Sequence, residues 1–370
     1  MKHRCLPPAA RLAAATAALF LLSLVAGCQA SAVRPPPQSV RASDGRFVYE
    51  GRFDFADRSA PVAIWQGSRI RIDFGGDTLS LRFGEASDQC FFNATIDGRT
   101  SVVGLRRGAA PAGAAFSGLG AGRHSLALFK RSEASAGTVP FLGVDIAHGA
   151  AVWSPAPPRY RLAMEFIGDS ITAGACDLDG PADQWADRST HDNAISYGAL
   201  AAAAFRADYR NIAVSGMGVA TGWVDARAGQ IWDAVYPRAD SPRADPAAWR
   251  PDVVLVNLGE NDDSFTRAHH LPFPVGYAQG YVGLVRAIRA AHPEAQIVML
   301  RGGMFGGAKS EELRSAWEAA VSQVEAADAR ASHFVFSHWS INHPRAPDHA
   351  ALADELVAWL RTQRFMQPFL

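Results

Sequence analysis

Residues 252–258 run Asp-Val-Val-Leu-Val-Asn-Leu, apolar at nearly every position. An alternating strand can leave one face in water, but this one cannot, so it belongs in a sheet covered on both sides. The rest of the second half of the chain agrees with it. Residues 161–167, 211–214, 296–300 and 333–336 read as further strands. Between them lie stretches with helical spacing at 197–206, 280–291, 311–329 and 348–361. Strand and helix in alternation imply a parallel sheet with helices on both faces, a three-layer α/β domain over 158–370.

The first half has a different texture. Short extended runs at 47–49, 62–65, 70–74, 79–83, 91–96 and 124–129 are divided by turn residues, with no long helical pattern. Gly75-Gly76-Asp77 reads as a hairpin turn, and Asp97-Gly98 as another turn after a strand. Many short strands of this kind predict an antiparallel, jelly-roll-like β-sandwich over 43–150. Pro155, Pro157 and Pro158 mark the boundary between the two halves.

Residues 1–42 are expected to lie outside both domains. Lys2, Arg4 and Arg11 precede an apolar run over 13–25, which ends in Val25-Ala26-Gly27-Cys28. Charge, apolar stretch and small residues before a cysteine are the parts of an export signal. The pattern resembles a bacterial lipoprotein signal, which implies a signal peptide over 1–27, lipidation of Cys28 and a membrane anchor. Residues 28–42, with three consecutive prolines, read as a semi-rigid tether. Gln29 after the cysteine favours the outer membrane over the inner. Losing the signal moves the net charge from zero to −3. Neither state offers the basic surplus that binding nucleic acid requires. Cys90 and Cys176 remain as thiols that could pair or stay separate, and a monomer is expected.

Chemistry concentrates at Phe166-Ile167-Gly168-Asp169-Ser170-Ile171-Thr172. An apolar strand ends, and a serine follows where a helix begins. Open parallel sheets put their reactive groups in the crevice at the carboxyl ends of the strands. Ser170 at such a turn has an exposed hydroxyl and free backbone amides beside it, which suit a developing oxyanion.

These residues resemble the first block of the SGNH (GDSL-type) hydrolases, and the other blocks follow in order. Asn211-Ile212-Ala213-Val214-Ser215-Gly216 resembles the second, Gly259-Glu260-Asn261-Asp262 the third, and His343-Pro344 the last. The resemblance implies that Ser170 is the nucleophile and His343 its base. It also implies an oxyanion site built from the N–H of Ser170, the N–H of Gly216 and the side-chain amide of Asn261. Most of the superfamily has aspartate three residues before the histidine. Here that residue is Ser340, and Ile341 cannot replace it, so a Ser170–His343 dyad is expected. Asp348 is expected to cap the next helix.

Taken over residues 45–365, the chain is most similar to carbohydrate esterase family two. The similarity is carried by the sandwich before the hydrolase, Gly51-Arg52, Asn93 with Asp97-Gly98, the stretch 196–202 and the turn Gly302-Gly303-Met304. Some members of that family also lack the acid. The resemblance implies acetylated polysaccharides such as xylan or glucomannan as substrates, with no cofactor. Within the polar insertion 177–193, Trp185 offers a flat platform for a sugar ring. Asp262, Trp339 and Trp223 are further candidate contacts. His269-His270 lacks the spaced partners that a metal site requires, so no metal is expected. Two other readings remain open, an esterase of lipid, aryl or thioester substrates or of acetyl groups on the cell's own polysaccharides, and a glycan-binding lipoprotein without activity.

Overall fold

The structure is a computed structural model and describes residues 35–370. The expected signal segment, Cys28 and the first part of the tether lie outside the described residues. Residues 36–370 form one compact unit.

Its front part is two antiparallel sheets of six strands each. The first holds Gln38–Arg41, Phe53–Asp54, Val62–Ala63, Thr78–Phe83, Ala115–Ser117 and Val139–Ile146. The second holds Val48–Glu50, Arg69–Gly75, Gln89–Ile96, Arg99–Arg106, Arg123–Lys130 and Val152–Trp153. Ile70, Ile72 and Phe74 of one sheet share a core with Leu79, Leu81, Val144 and Ile146 of the other. Alternate residues of each strand therefore face inward, as a sandwich demands.

Two expectations are corrected here. Gly75-Gly76-Asp77 does not close a hairpin, because Arg69–Gly75 and Thr78–Phe83 belong to different sheets. The turn carries the chain across the core so that Phe74 and Leu79 can fill it from opposite sides. The tether is also shorter than its composition implied. Gln38–Arg41 pairs with Val139–Ile146, and Val40 is buried beneath it. The Asp97-Gly98 turn does close a hairpin, with Ile96 opposite Arg99. Its φ values of 50° and 80° are those of a type I′ turn, whose twist matches the flanking strands.

The second part is a five-stranded parallel sheet. Its strands are β1 (Ala163–Gly168), β2 (Asp208–Ala213), β3 (Val253–Asn257), β4 (Gln296–Met304) and β5 (Ala331–Ser340), in the order β2-β1-β3-β4-β5. The helices that frame it are α1 (Ser170–Ala173), α2 (Tyr197–Ala204), α3 (Glu260–Ala268), α4 (Tyr277–Ala291), α5 (Glu311–Ala327) and α6 (Ala346–Thr362). Ile167, Val254, Val256, Ile297 and Met299 pack on one face with α4 and α5. Phe166, Val253, Leu255, Val298 and Leu300 pack on the other with α2 and α6. That even division is why β3 could carry no polar face.

The two parts share a core. Ile64 and Trp65, from the sandwich, are buried within the hydrolase cluster, and Trp65 Nε1 donates to the Val235 carbonyl at 2.8 Å. Gln66 spans the joint as well. Its amide nitrogen donates to Asn211 Oδ1 at 2.7 Å and to the Ala213 carbonyl at 2.8 Å, while its oxygen accepts the Ala134 N–H at 3.0 Å. Buried polar groups paired this fully fix one orientation of the parts, since any slip would strand them unbonded.

Candidate active site

β1 ends at Gly168, Asp169 caps the next turn, and Ser170 opens α1. The Asp169 carboxylate accepts the Ile171 N–H at 3.1 Å, which orients the first turn of the helix. Ser170 sits past the carboxyl end of a central strand, in the crevice where open α/β sheets place their chemistry. From the far end of the chain, the loop after β5 brings His343 to it. Ser170 Oγ and His343 Nε2 are 2.9 Å apart.

The imidazole does not stand alone. Its Nδ1 lies 2.6 Å from Asp183 Oδ2, and the His343 N–H donates to the same oxygen at 3.3 Å. An ionised carboxylate can only accept, so Nδ1 carries the proton and Nε2 is free to take one from Ser170. Arg345 lies 2.8 Å from the other oxygen, Asp183 Oδ1. Desolvation pushes the Asp183 carboxyl up, but hydrogen bonds from His343 and Arg345 outweigh it and hold the group well below the usual carboxylate range. The expected dyad is therefore corrected to a chain of three groups. Its acid comes from the polar insertion rather than from the histidine loop. Ser340 merely donates to the Asn342 carbonyl at 2.7 Å. Asp348 accepts the Arg345 N–H at 2.9 Å and faces His338 at 2.8 Å, so it serves the start of α6.

The insertion is held from both sides. Asn342 donates to the Pro181 carbonyl at 2.9 Å, and Arg345 to the Gly180 carbonyl at 2.9 and 3.0 Å. On the sandwich side, Asn93 donates to both oxygens of the buried Asp192, at 2.9 and 3.0 Å, and Arg131 stands 3.5 Å from it. Gln89 donates to the Ala186 carbonyl at 2.9 Å, and Arg106 pairs with Asp187 at 2.7 Å.

Gly216 and Asn261 line the same cavity as Ser170 and His343, a cleft of about 640 Å³. Gly216 has a φ of 84°, which a side chain would strain, and a Cβ there would meet Trp223 at 3.1 Å. The N–H groups of Ser170 and Gly216 have no acceptor among the described residues. Asn261 differs from expectation. Both hydrogens of its amide are committed, to Asp169 Oδ2 at 3.2 Å and to the Met217 carbonyl at 3.0 Å. In this resting geometry two backbone donors, not three groups, are available to an oxyanion.

The other candidates separate. Trp185 is 39% exposed, lines the cleft, stands edge-on to His343 at 5.0 Å between ring centres, and carries the Arg188 guanidinium 4.8 Å over its face. Trp223, 52% exposed, lines the cleft too. Asp262 is corrected as a substrate contact. It is fully buried, and its carboxylate accepts the N–H groups of Val219, Ala220 and Thr221 at 2.7–2.9 Å, holding the loop that follows Gly216. Trp339 is corrected as well, because it packs against Phe305 and Lys309 rather than lining the cleft. Sequence reasoning missed Glu133, a sandwich residue at the cleft that accepts the Ser215 N–H at 2.9 Å. Cys90 and Cys176 are both buried and free.

A serine hydroxyl, an imidazole and an ionised carboxylate in hydrogen-bonded series, beside unbonded backbone amides, define a serine hydrolase site on a three-layer α/β fold. Residues 166–360 match the GDSL-like Lipase/Acylhydrolase family, and residues 49–157 match the Carbohydrate esterase 2 N-terminal family. The chain belongs to the GDSL-like lipase/acylhydrolase family, and the front match bears out the resemblance to carbohydrate esterase family two.

The chain is 30% identical over 337 residues to the cellulase/esterase CelE of Acetivibrio thermocellus, covering 85% of this chain and 39% of that protein. It thus spans about two fifths of that relative's length. It is 25% identical over 316 residues to an acetylxylan esterase/glucomannan deacetylase of Cellvibrio japonicus, covering 81% of this chain and 85% of that one. A family two carbohydrate esterase from Clostridium thermocellum, solved in complex with cellohexaose, superposes with a TM-score of 0.77. The two are 27% identical, with 88% of this chain and 100% of that chain covered.

Two outcomes follow from this geometry. Asp183→Asn is expected to lower kcat by about 10²–10⁴-fold with KM little changed, because the amide stabilises the wrong tautomer of His343. Steady-state kinetics check it, and a loss of less than about threefold would restore the dyad. Asp169 supplies a stability test. Burial, with the Glu260 charge second, pushes its carboxyl up to about 8. Its unfolded value is about 3.9, so the folded chain keeps a proton that the unfolded chain has released, and folding weakens as pH rises between the two. Asp169→Asn is therefore expected to show a shallower fall in Tm than the wild type from pH 5 to pH 8, read by thermal melts at fixed ionic strength.

Proposed function

We propose that this chain is a lipid-anchored serine esterase that removes O-acetyl groups from polysaccharides. The observation that carries the reading is the Ser170–His343–Asp183 series opening into a cleft of about 640 Å³ flanked by two exposed tryptophans. Ser170 Oγ attacks the acetyl carbonyl while His343 Nε2 takes its proton. Asp183 stays ionised and steadies the imidazolium. Backbone N–H groups of Ser170 and Gly216 receive the oxyanion, and removing one such donor typically costs about 2.7–4 kcal/mol. His343 then protonates the departing sugar oxygen, and water, activated by the same imidazole, releases acetate from the acetyl-enzyme.

A sugar substrate is supported by the shape and lining of the cleft. Trp185 and Trp223 present apolar faces at low entropic cost, as stacking on pyranose rings requires. The relatives point the same way, two acetylxylan esterase/glucomannan deacetylases and one carbohydrate esterase in complex with cellohexaose. The anchor rests on the sequence around Cys28, with the Pro-rich stretch as its spacer.

Acetate release from acetylated xylan and glucomannan tests the activity. Wild type should release acetate and Ser170→Ala should not. Equal release by both, or faster turnover of long-chain esters than of acetyl esters, overturns the reading. Trp185→Ala should raise KM roughly tenfold on the polymer while leaving a small aryl acetate nearly unaffected. For the anchor, Cys28→Ala expressed in a bacterial host should move the protein from the membrane fraction to the soluble fraction. An unchanged distribution would remove the anchor.

A further inference from the structure

A second cavity, of about 490 Å³, opens at the other end of the hydrolase sheet. Ser170 lies past the carboxyl end of β1, whereas this cavity is lined by Glu165 and Arg210, near the amino ends of β1 and β2. Arg52 of the sandwich, Trp249 ahead of β3 and His292 ahead of β4 close it. It is a separate place from the catalytic cleft.

Its polar groups are unevenly paired. Arg52 meets Glu165 at 3.1 Å, and Arg243 meets Asp233 at 2.9 Å. Asp245 is exposed and accepts the Ala247 N–H at 2.8 Å. Arg210 is left over. Half-buried, with its guanidinium held 4.1 Å over the Trp249 ring, it makes no close ion pair among the described residues, and its Nε is buried without a hydrogen-bond partner. Burial pulls its pKa down to about 10, and the attraction of Glu165 and Asp208, opposed by Arg52, does not make up the loss of water. Three more buried atoms at the cavity lack partners: Arg52 Nε, Glu165 Oε2 and His292 Nδ1. Arg52 and Glu165 are 8% and 1% exposed, so these atoms are costly to leave unbonded.

The unmet groups ask for a ligand of mixed chemistry. A guanidinium fork pairs best with a planar carboxylate. Glu165 Oε2 can only accept, so it calls for a hydroxyl or other donor, and Arg52 Nε calls for an acceptor. A hydroxyl serves either need. The cavity's volume lies within the roughly 300–1,000 Å³ range of small-molecule sites. We propose that this cavity binds a hydroxylated carboxylate of single-sugar size, a uronate, with its carboxylate on Arg210 and its hydroxyls on Glu165, Arg52 and His292.

Isothermal titration of the full chain with sodium D-glucuronate tests this, with glucose and sodium acetate as separate arms. Saturable binding of glucuronate at one site is expected, with glucose and acetate each weaker by about tenfold or more. Arg210→Gln should weaken glucuronate by at least about tenfold while keeping the wild-type Tm without ligand and normal acetate release. Trp185→Ala should leave the affinity unchanged. Absence of saturable binding means a cavity filled by water alone and overturns the proposal. So does glucose binding as tightly as glucuronate, an Arg210→Gln protein that binds normally, or a Trp185→Ala protein that does not bind.

Discussion

The grip of the sandwich on the insertion 177–193 decides whether the catalytic groups can meet. This segment holds little regular structure, and fixing each of its residues opposes folding by about 1–2 kcal/mol. One short 3-10 turn at Arg188–Thr190 returns little of that free energy, so contacts from elsewhere are needed. They come from Asn93 and Arg131 on the buried Asp192, from Gln89 on the Ala186 carbonyl, and from Arg106 on Asp187. On the other side Arg345 and Asn342 bind its first turn. Asp183 lies between these two sets of anchors. Its place beside His343 is thus a product of both domains.

Two carboxylates near Ser170 show how burial and partners divide roles within one site. Asp183 keeps some exposure and has a histidine and an arginine against it, so its charged form is favoured. Asp169, adjacent in sequence to the nucleophile, is fully buried with Glu260 and Asp262 as neighbouring acids, so its neutral form is favoured. The same functional group is set to orient a base in one case and to build a helix start in the other. Exchanging the two environments would leave His343 without an ionised partner and put an uncompensated charge beneath α1.

Most of the α/β half was legible because its signals are local or periodic. β3 shows its double burial as an unbroken apolar run, and the blocks around Ser170, Gly216, Asn261 and His343 appear in chain order. What escaped was tertiary. Five aspartates occupy the insertion, at 177, 179, 183, 187 and 192, and nothing in their spacing marks Asp183. The positions three and two before His343 were the local tests for an acid, and they returned Ser340 and Ile341. The turn at 75–77 misled for a similar reason, since glycine permits a sharp reversal but does not say which sheet the next strand joins. Trp339 and Asp262 were drawn to the site by proximity in sequence to His343 and Asn261. The side chain of one packs on Phe305 and Lys309, and that of the other accepts from a ring of backbone amides.

The sandwich also reaches the hydrolase at both ends of its sheet. At the carboxyl end Glu133 stands at the cleft wall and accepts the Ser215 N–H, one residue before Gly216. At the amino end Arg52 enters the second cavity and pairs with Glu165, on the same strand that leads to Ser170. Between these points Trp65 and Gln66 lock the joint. A domain that merely recruited substrate would meet its neighbour through one polar, replaceable patch. Here buried side chains of the sandwich complete the hydrolase core and the walls of these two cavities, so separating the halves would unmake the site rather than free it.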